Sequence, residues 1–302
     1  MNNPISVSGS KLAKNTDLQG CIDTLKAAGY DTVDFWLCKY CKGADAPMNR
    51  PDWREWVQDA ARRFASAGIT VGQVHAHWDH EFQIHEDFTY DLPLPVIYNN
   101  IEAAALLGCH RLIFHPIQRW MRMPEEGMRA RVIEINAAWF RALLPAAEKW
   151  GVELHIENLF DHKHVQQPGD PLFPFGTSAD ILALVERIDH PLVKICLDTG
   201  HANINAQDVP AMIRAYGKLL GSLHLNDNYG KIGPIYEDLH LFPSYGRLPW
   251  PAIFQALAEI GYEGTLNMEP GGELDKLPYE LRVIQLRAAR EIVAAMRTLY
   301  TE

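Results

Sequence analysis

The sequence has no uninterrupted apolar run of 18 residues, and its opening stretch, MNNPISVSGSKLAKN, has no apolar core. A membrane-spanning helix needs about 20 consecutive apolar residues and a secretory leader about 7–15. Neither is expected, so the chain reads as cytoplasmic, with no membrane partner. Cysteine is scarce: Cys21, Cys38, Cys41, Cys109 and Cys196 are odd in number and scattered, which argues against a disulfide framework. Cys38-x-x-Cys41 has zinc or redox spacing, but no second ligand pair follows, and reduced bystanders are expected. Basic charge is also in deficit. With 28 Lys and Arg against 38 Asp and Glu, the formal charge is −10, and an acidic surface repels the phosphate backbone, which disfavours nucleic acid as a partner. No Ser/Gly-rich linker, composition shift or low-complexity segment divides the chain, so residues 1–302 read as a single domain.

What is present is alternation. Short β-branched or apolar runs near 5–10, 32–37, 70–78, 111–116, 152–158, 193–199, 221–227 and 264–269 are separated by longer helical patterns. This pattern predicts βαβ units and a parallel sheet. Pro51-Asp52-Trp53-Arg54-Glu55 opens one helix with proline and acids in its first turn, closed at Ala67-Gly68, and Thr177 supplies a capping hydroxyl to a helix over 178–188. Eight strand–helix pairs predict an α/β fold of the (β/α)₈ TIM-barrel type. The chain exceeds the usual barrel of about 250 residues by about 50. The surplus is assigned to long βα loops at the C-terminal face, over 38–50, 79–92, 159–176 and 228–249. The Gly-, Pro- and Tyr-rich 228–249 connection is expected to fold over a bound substrate. Helix 281–299, with Leu281, Val283, Ile284, Leu286, Ile292, Val293 and Met296, is expected to pack on the barrel.

In such a barrel the C-terminal strand ends converge on one pocket. Strand three ends in His75 and His77, four in His115, five in Glu157, six in Asp198 with His201 beyond, seven in His224 and eight in Glu269. The steps from 75 to 115, 157 and 198 are 40, 42 and 41 residues, which predicts one height on successive units. Burying Glu157, Asp198 and Glu269 together is costly unless a cation compensates, and His224 completes four ligands. Three carboxylates and one imidazole favour a divalent ion, Mn²⁺ foremost, with Mg²⁺, Co²⁺ or Zn²⁺ as alternatives. His155 and Cys196, two residues before a ligand, read as core one layer deeper.

Phe114-His115-Pro116, Ile156-Glu157-Asn158, Leu197-Asp198-Thr199-Gly200-His201, His224-Leu225-Asn226-Asp227, Asp238-Leu239-His240 and Gly261-Tyr262-Glu263-Gly264 running into Met268-Glu269-Pro270 resemble the sugar phosphate isomerase/epimerase superfamily of xylose-isomerase-like barrels. That superfamily also contains endonuclease-IV-type apurinic nucleases. The resemblance implies metal ligands at Glu157, Asp198, His224 and Glu269, with Glu157 and Glu269 as the catalytic acid/base pair. It further implies substrate contacts at His75, His115, His201, Asp238 and His240, a small carbohydrate substrate, and a homo-oligomer. The implied reaction is isomerisation or epimerisation by proton abstraction beside a carbonyl, through a metal-stabilised enediolate. The sequence departs from the ketose epimerases at Lys163, where they carry glutamate, and at Gly230, where they carry arginine. Asp161-His162-Lys163-His164 and Arg119-Trp120-Met121-Arg122 could supply cationic contacts to a phosphate or carboxylate. The alternatives are a metal-dependent lyase or dehydratase on a keto-polyol or keto-sugar, a three-zinc apurinic endonuclease using the additional histidines, and a non-catalytic sugar-binding barrel.

Overall fold

Eight short runs of buried residues form the strands of one cylinder: β1 (Ile5–Ser8), β2 (Thr32–Trp36), β3 (Thr70–His75), β4 (Arg111–Phe114), β5 (Glu153–Glu157), β6 (Val193–Asp198), β7 (Leu220–His224) and β8 (Leu266–Met268). The structure, a computed structural model, describes residues 1–13, 17–79, 82–85, 87–90, 94–117, 126–160, 174–230 and 237–301. Neighbouring strands pair in parallel from β1 through β7, and β8 pairs with β1. The remaining gap, between β7 and β8, is bridged where the Leu225 N–H donates to the Asn267 carbonyl at 2.7 Å. The predicted (β/α)₈ barrel is therefore the observed fold.

Helices α1 (Leu18–Ala28), α2 (Trp53–Ser66), α3 (Leu94–Leu106), α4 (Glu126–Trp150), α5 (Ser178–Ile188), α6 (Thr199–Ile204), α7 (Val209–Tyr216), α8 (Trp250–Glu259) and α9 (Tyr279–Leu299) connect the strands. Their ends follow the local chemistry. α5 spans the predicted residues, and the Thr177 hydroxyl accepts from the Asp180 N–H at 3.3 Å. α2 closes at Ala67, and Gly68 takes the positive φ of 72° that ends the turn. α9 packs only part of its apolar set. Leu286 and Val293 are fully enclosed, each burial stabilising by about 1.5–3 kcal/mol. Leu281 and Ile284 are 52% and 58% exposed, because a single helix face meets the barrel and these two lie off it. All five cysteines are free and buried. Burial pushes the Cys41 thiol up to about 12 and raises Cys38 as well, so neither is a poised nucleophile. No helix among the described residues is long and apolar enough to cross a membrane.

Candidate metal centre and active site

The equally spaced residues reach one height by strand tilt, not by facing each other across the sheet. Glu157 pairs in register with Cys196, whereas Asp198 pairs with His224. The stagger of tilted strands in a closed barrel supplies the offset. At the top of β5, β6 and β7 the His224 Nδ1 then lies 2.9 Å from Glu157 Oε1 and 3.8 Å from Asp198 Oδ2, and Glu269 Oε2, just past β8, is 3.6 Å away. The four predicted ligands are thus brought together. Asp198 also caps α6: its Oδ1 accepts from the His201 N–H at 2.8 Å, leaving Oδ2 toward the cluster. Glu157 Oε2 is buried and, among the described residues, meets no backbone, hydroxyl or amide donor, only the ring nitrogens of His115 and His75 at 3.1 and 3.4 Å. A buried carboxylate oxygen without a donor is costly unless a cation takes its lone pair, so this donor set fits a divalent ion.

Two further histidine groups flank the four. His75 donates from Nδ1 to the Ala76 carbonyl at 2.9 Å, which turns its Nε2 toward Glu157 Oε2 at 3.4 Å. His115 Nε2 is 3.1 Å from the same oxygen, and Trp78 stacks on the His115 ring at 4.8 Å. On the other side, His201 Nδ1 donates to the Asn158 carbonyl at 2.8 Å and its Nε2 lies 3.5 Å from Asp238 Oδ2. The same Asp238 oxygen is 2.6 Å from His240 Nε2. All five predicted substrate contacts therefore border the cluster, and the donor atoms of His75, His115 and Glu157, like those of His201, Asp238 and His240, lie close enough together to hold an ion.

The charges are interlocked. Burial raises the Asp198 carboxyl to about 6, against the pull of His201. Burial likewise disfavours the charged forms of Glu157 and Glu269, yet the facing imidazoles, His224 foremost, hold both well below the usual carboxylate range. For His201 burial works downward, and Asp198 and Asp238 outweigh it to hold the ring at about 10. His115 differs: burial outweighs the pull of Glu157 and lowers it.

Asp238 and His240 reach the site on the 228–249 connection, which was expected to fold over a bound substrate. Among its described residues, 237–249 are tied down by Asp227. Asp227 and Leu241 exchange backbone hydrogen bonds of 2.8 and 2.9 Å. The Asp227 carboxylate accepts from the Ser244 N–H at 3.1 Å, the Leu248 N–H at 3.2 Å and Trp250 Nε1 at 2.7 Å. Gly246 passes so close that a Cβ there would lie 2.2 Å from Asp227 Oδ1. His240 adopts a left-handed backbone, φ 47°, uncommon for a side chain other than glycine or asparagine and concentrated at functional sites. The 231–236 tip lies outside the described residues, as do Arg119, Trp120, Met121, Arg122, Asp161, His162, Lys163 and His164.

Sequence reasoning missed the framing asparagines. Asn158 bonds the Asp198 backbone through both side-chain atoms, at 2.8 and 3.0 Å. Asn226 donates to Asp198 Oδ2 at 2.6 Å and accepts from the Glu269 N–H at 3.2 Å. Each lies one or two residues past a predicted ligand, a signal that was available. The deeper residues behave as predicted: His155 is enclosed, with Nδ1 2.8 Å from Ser222 Oγ and Nε2 3.1 Å from Glu153 Oε2. Above the cluster opens a cavity of about 320 Å³, whose floor includes Glu157, His201, Asp238 and Glu269 and whose wall includes Trp36, Trp78, Phe82 and Trp139. Its size suits a small molecule, and aromatic faces over polar donors suit the C–H and O–H groups of a polyol.

A family model described as xylose isomerase-like TIM barrel matches residues 22–298. A D-psicose 3-epimerase of Ruminiclostridium cellulolyticum is 30% identical over 167 residues, 55% of this chain and 49% of the relative. One of Enterocloster bolteae is 32% identical over 165 residues, 55% and 48% of the two chains. The chain thus spans about half the length of the curated relatives it matches. The crystal structure of a D-psicose 3-epimerase in the presence of D-fructose superposes with a TM-score of 0.72 at 18% identity, covering 99% of this chain and 100% of that one. This last likeness is one of fold.

Proposed function

Since the chain belongs to the xylose isomerase-like TIM barrel family, we propose that it is a divalent-metal-dependent sugar isomerase or epimerase. The observation that carries this reading is the placement of two carboxylates, Glu157 and Glu269, within 2.9 and 3.6 Å of one nitrogen of His224, both lining the same cavity. Glu157, Asp198, His224 and Glu269 would hold the ion, which supplies Lewis-acid polarisation of a carbonyl. Mn²⁺ suits this oxygen-rich set best, with Mg²⁺, Co²⁺ or Zn²⁺ able to substitute.

One glutamate takes a proton from the carbon beside the substrate carbonyl, and the C–H electron pair moves into an enediolate. A glutamate then returns a proton. Return to the opposite face epimerises, and return to the neighbouring carbon isomerises. His75, His115, His201, Asp238 and His240 orient hydroxyls around that carbon, and the aromatic wall keeps bulk water from it. Metal analysis combined with a panel of ketoses and keto-polyols in D₂O tests the reading. Solvent deuterium is expected at the α-carbon, and Glu269→Gln should lower its incorporation at least about 10²-fold with little unfolding. Exchange at the wild-type rate in that variant would refute the assignment. Loss of water from the substrate would instead mark a lyase.

A second reading has its own observation: the flanking donor sets His75–His115–Glu157 and His201–Asp238–His240 allow more than one ion, as a three-zinc nuclease requires. Three zinc ions per chain together with cleavage of abasic DNA would favour it.

A further inference from the structure

Beneath the four proposed ligands lies a carboxylate that plays no part in the reaction described above. Asp34, in β2, is fully enclosed. Its Oδ2 accepts from Asn267 Nδ2 at 3.0 Å and stands 3.6 Å from His224 Nε2. Asn267 is itself oriented, because the Ser6 hydroxyl donates to its Oδ1 at 2.8 Å and so turns the amide nitrogen toward Asp34. Among the described residues neither His224 Nε2 nor Asp34 Oδ1 has a hydrogen-bond partner. Barrel interiors are ordinarily filled by branched aliphatic side chains, and a dry carboxylate with one amide donor costs several kcal/mol. A residue of that kind needs a partner that uses its charge.

The His224 ring supplies one. Its Nδ1 faces Glu157, Glu269 and Asp198, whereas Nε2 faces Asp34, and the His75 ring stacks on it at 5.7 Å and 17°. A neutral imidazole carries one proton, and the nitrogen without it is the donor to a metal. Without an ion Nδ1 has the nearer acceptor, Glu157 Oε1 at 2.9 Å; once a cation occupies that side the proton must sit on Nε2, and the acceptor opposite Nε2 fixes it there.

We propose that Asp34 is a positioning residue that holds the His224 proton on Nε2, leaving the Nδ1 lone pair for the cation. This rests on the metal reading of the site. Asp34→Asn keeps the shape but removes the charge, so that at best a neutral amide oxygen stands in the Oδ2 place that faces both Asn267 and His224. Calorimetric titration of metal-stripped protein with Mn²⁺ is expected to show affinity about 10–100-fold weaker for Asp34→Asn, with altered visible absorption of the Co²⁺ form. Ser222→Ala, an equally buried polar change bonded to His155 instead, should stay within about twofold of wild type.

Wild-type affinity in Asp34→Asn, or an equal loss in Ser222→Ala, would overturn the inference while leaving the metal site standing. A wild-type protein that binds no divalent ion would overturn both. Should Asp34→Asn fail to fold, nitrogen-15 NMR of the zinc-loaded wild type decides. A proton on Nε2 of His224 that is shifted downfield and slow to exchange, as a hydrogen bond to Asp34 requires, is expected, and a fast-exchanging Nε2 proton or a proton on Nδ1 would refute the assignment.

Discussion

His77 stands two residues beyond His75, past the end of β3, and its surroundings are unlike those of the other pocket histidines. Burial, helped by Lys42 and opposed by Asp79, lowers its pKa to about 4, and its Nδ1 has no hydrogen-bond partner. Among the described residues the opposing acid, Asp79, does not reverse the desolvation as Asp198 and Asp238 do for His201. The unfolded imidazole titrates near 6.5. Between about 4 and 6.5 the unfolded chain therefore binds the extra proton, and this group's contribution to stability is lost as pH falls through that window. Urea unfolding of wild type and His77→Asn at pH 7 and pH 5 should show the variant losing about 1 kcal/mol less over that interval, after discounting for partial exposure. Equal losses in the two proteins would refute the shift.

At the scale of elements, the arm from 237 to 249 shows what a sequence pattern can hide. Gly, Pro and Tyr suggested a segment folding over bound substrate, and in its described part Asp227 accepts from three donors, Ser244 N, Leu248 N and Trp250 Nε1. Asp227→Ala would leave the buried Leu248 N–H and Trp250 Nε1–H unsatisfied at about 1–3 kcal/mol each, while the exposed Ser244 N–H turns to water. A net loss of about 3 kcal/mol is expected by chemical denaturation. Limited proteolysis should show faster cutting within 237–249. A variant as stable and as resistant as wild type would show that the arm is held by other means. The strands themselves were legible because a parallel barrel buries both faces, which leaves short β-branched runs between helical periods. Their upper limits were not. The runs at 70–78 and 221–227 keep their apolar alternation past His75 and His224, where the ladder ends. Asp34 was invisible for a related reason: in Thr32-Val33-Asp34-Phe35-Trp36 a single acid interrupts an apolar strand, and only the closed barrel brings Asn267 and His224 against it.

For the whole molecule, the excess of acids over bases is partly gathered in one place. Glu157, Asp198, Asp238 and Glu269 meet at one end of the barrel, joined from strands and loops far apart in sequence, so an ion bound among them ties β5, β6, β7 and the segment after β8 into one unit. A ligand that binds only the folded chain stabilises it by about 2.7 kcal/mol at 100 times its Kd. In a chain of this size about 1 kcal/mol moves Tm by roughly 2 °C. Saturating Mn²⁺ should then raise the Tm of chelator-treated protein by about 5 °C. Glu269→Gln, which removes one charged donor, should show a smaller rise at the same concentration. His155 and Ser222 lie outside the donor set, so Ser222→Ala should keep the full rise even if its starting Tm is lower. A Tm indifferent to Mn²⁺, Co²⁺ and Zn²⁺ at millimolar concentration would mean that the imidazoles alone neutralise these carboxylates, and the metal-dependent reading of the site would fall with it.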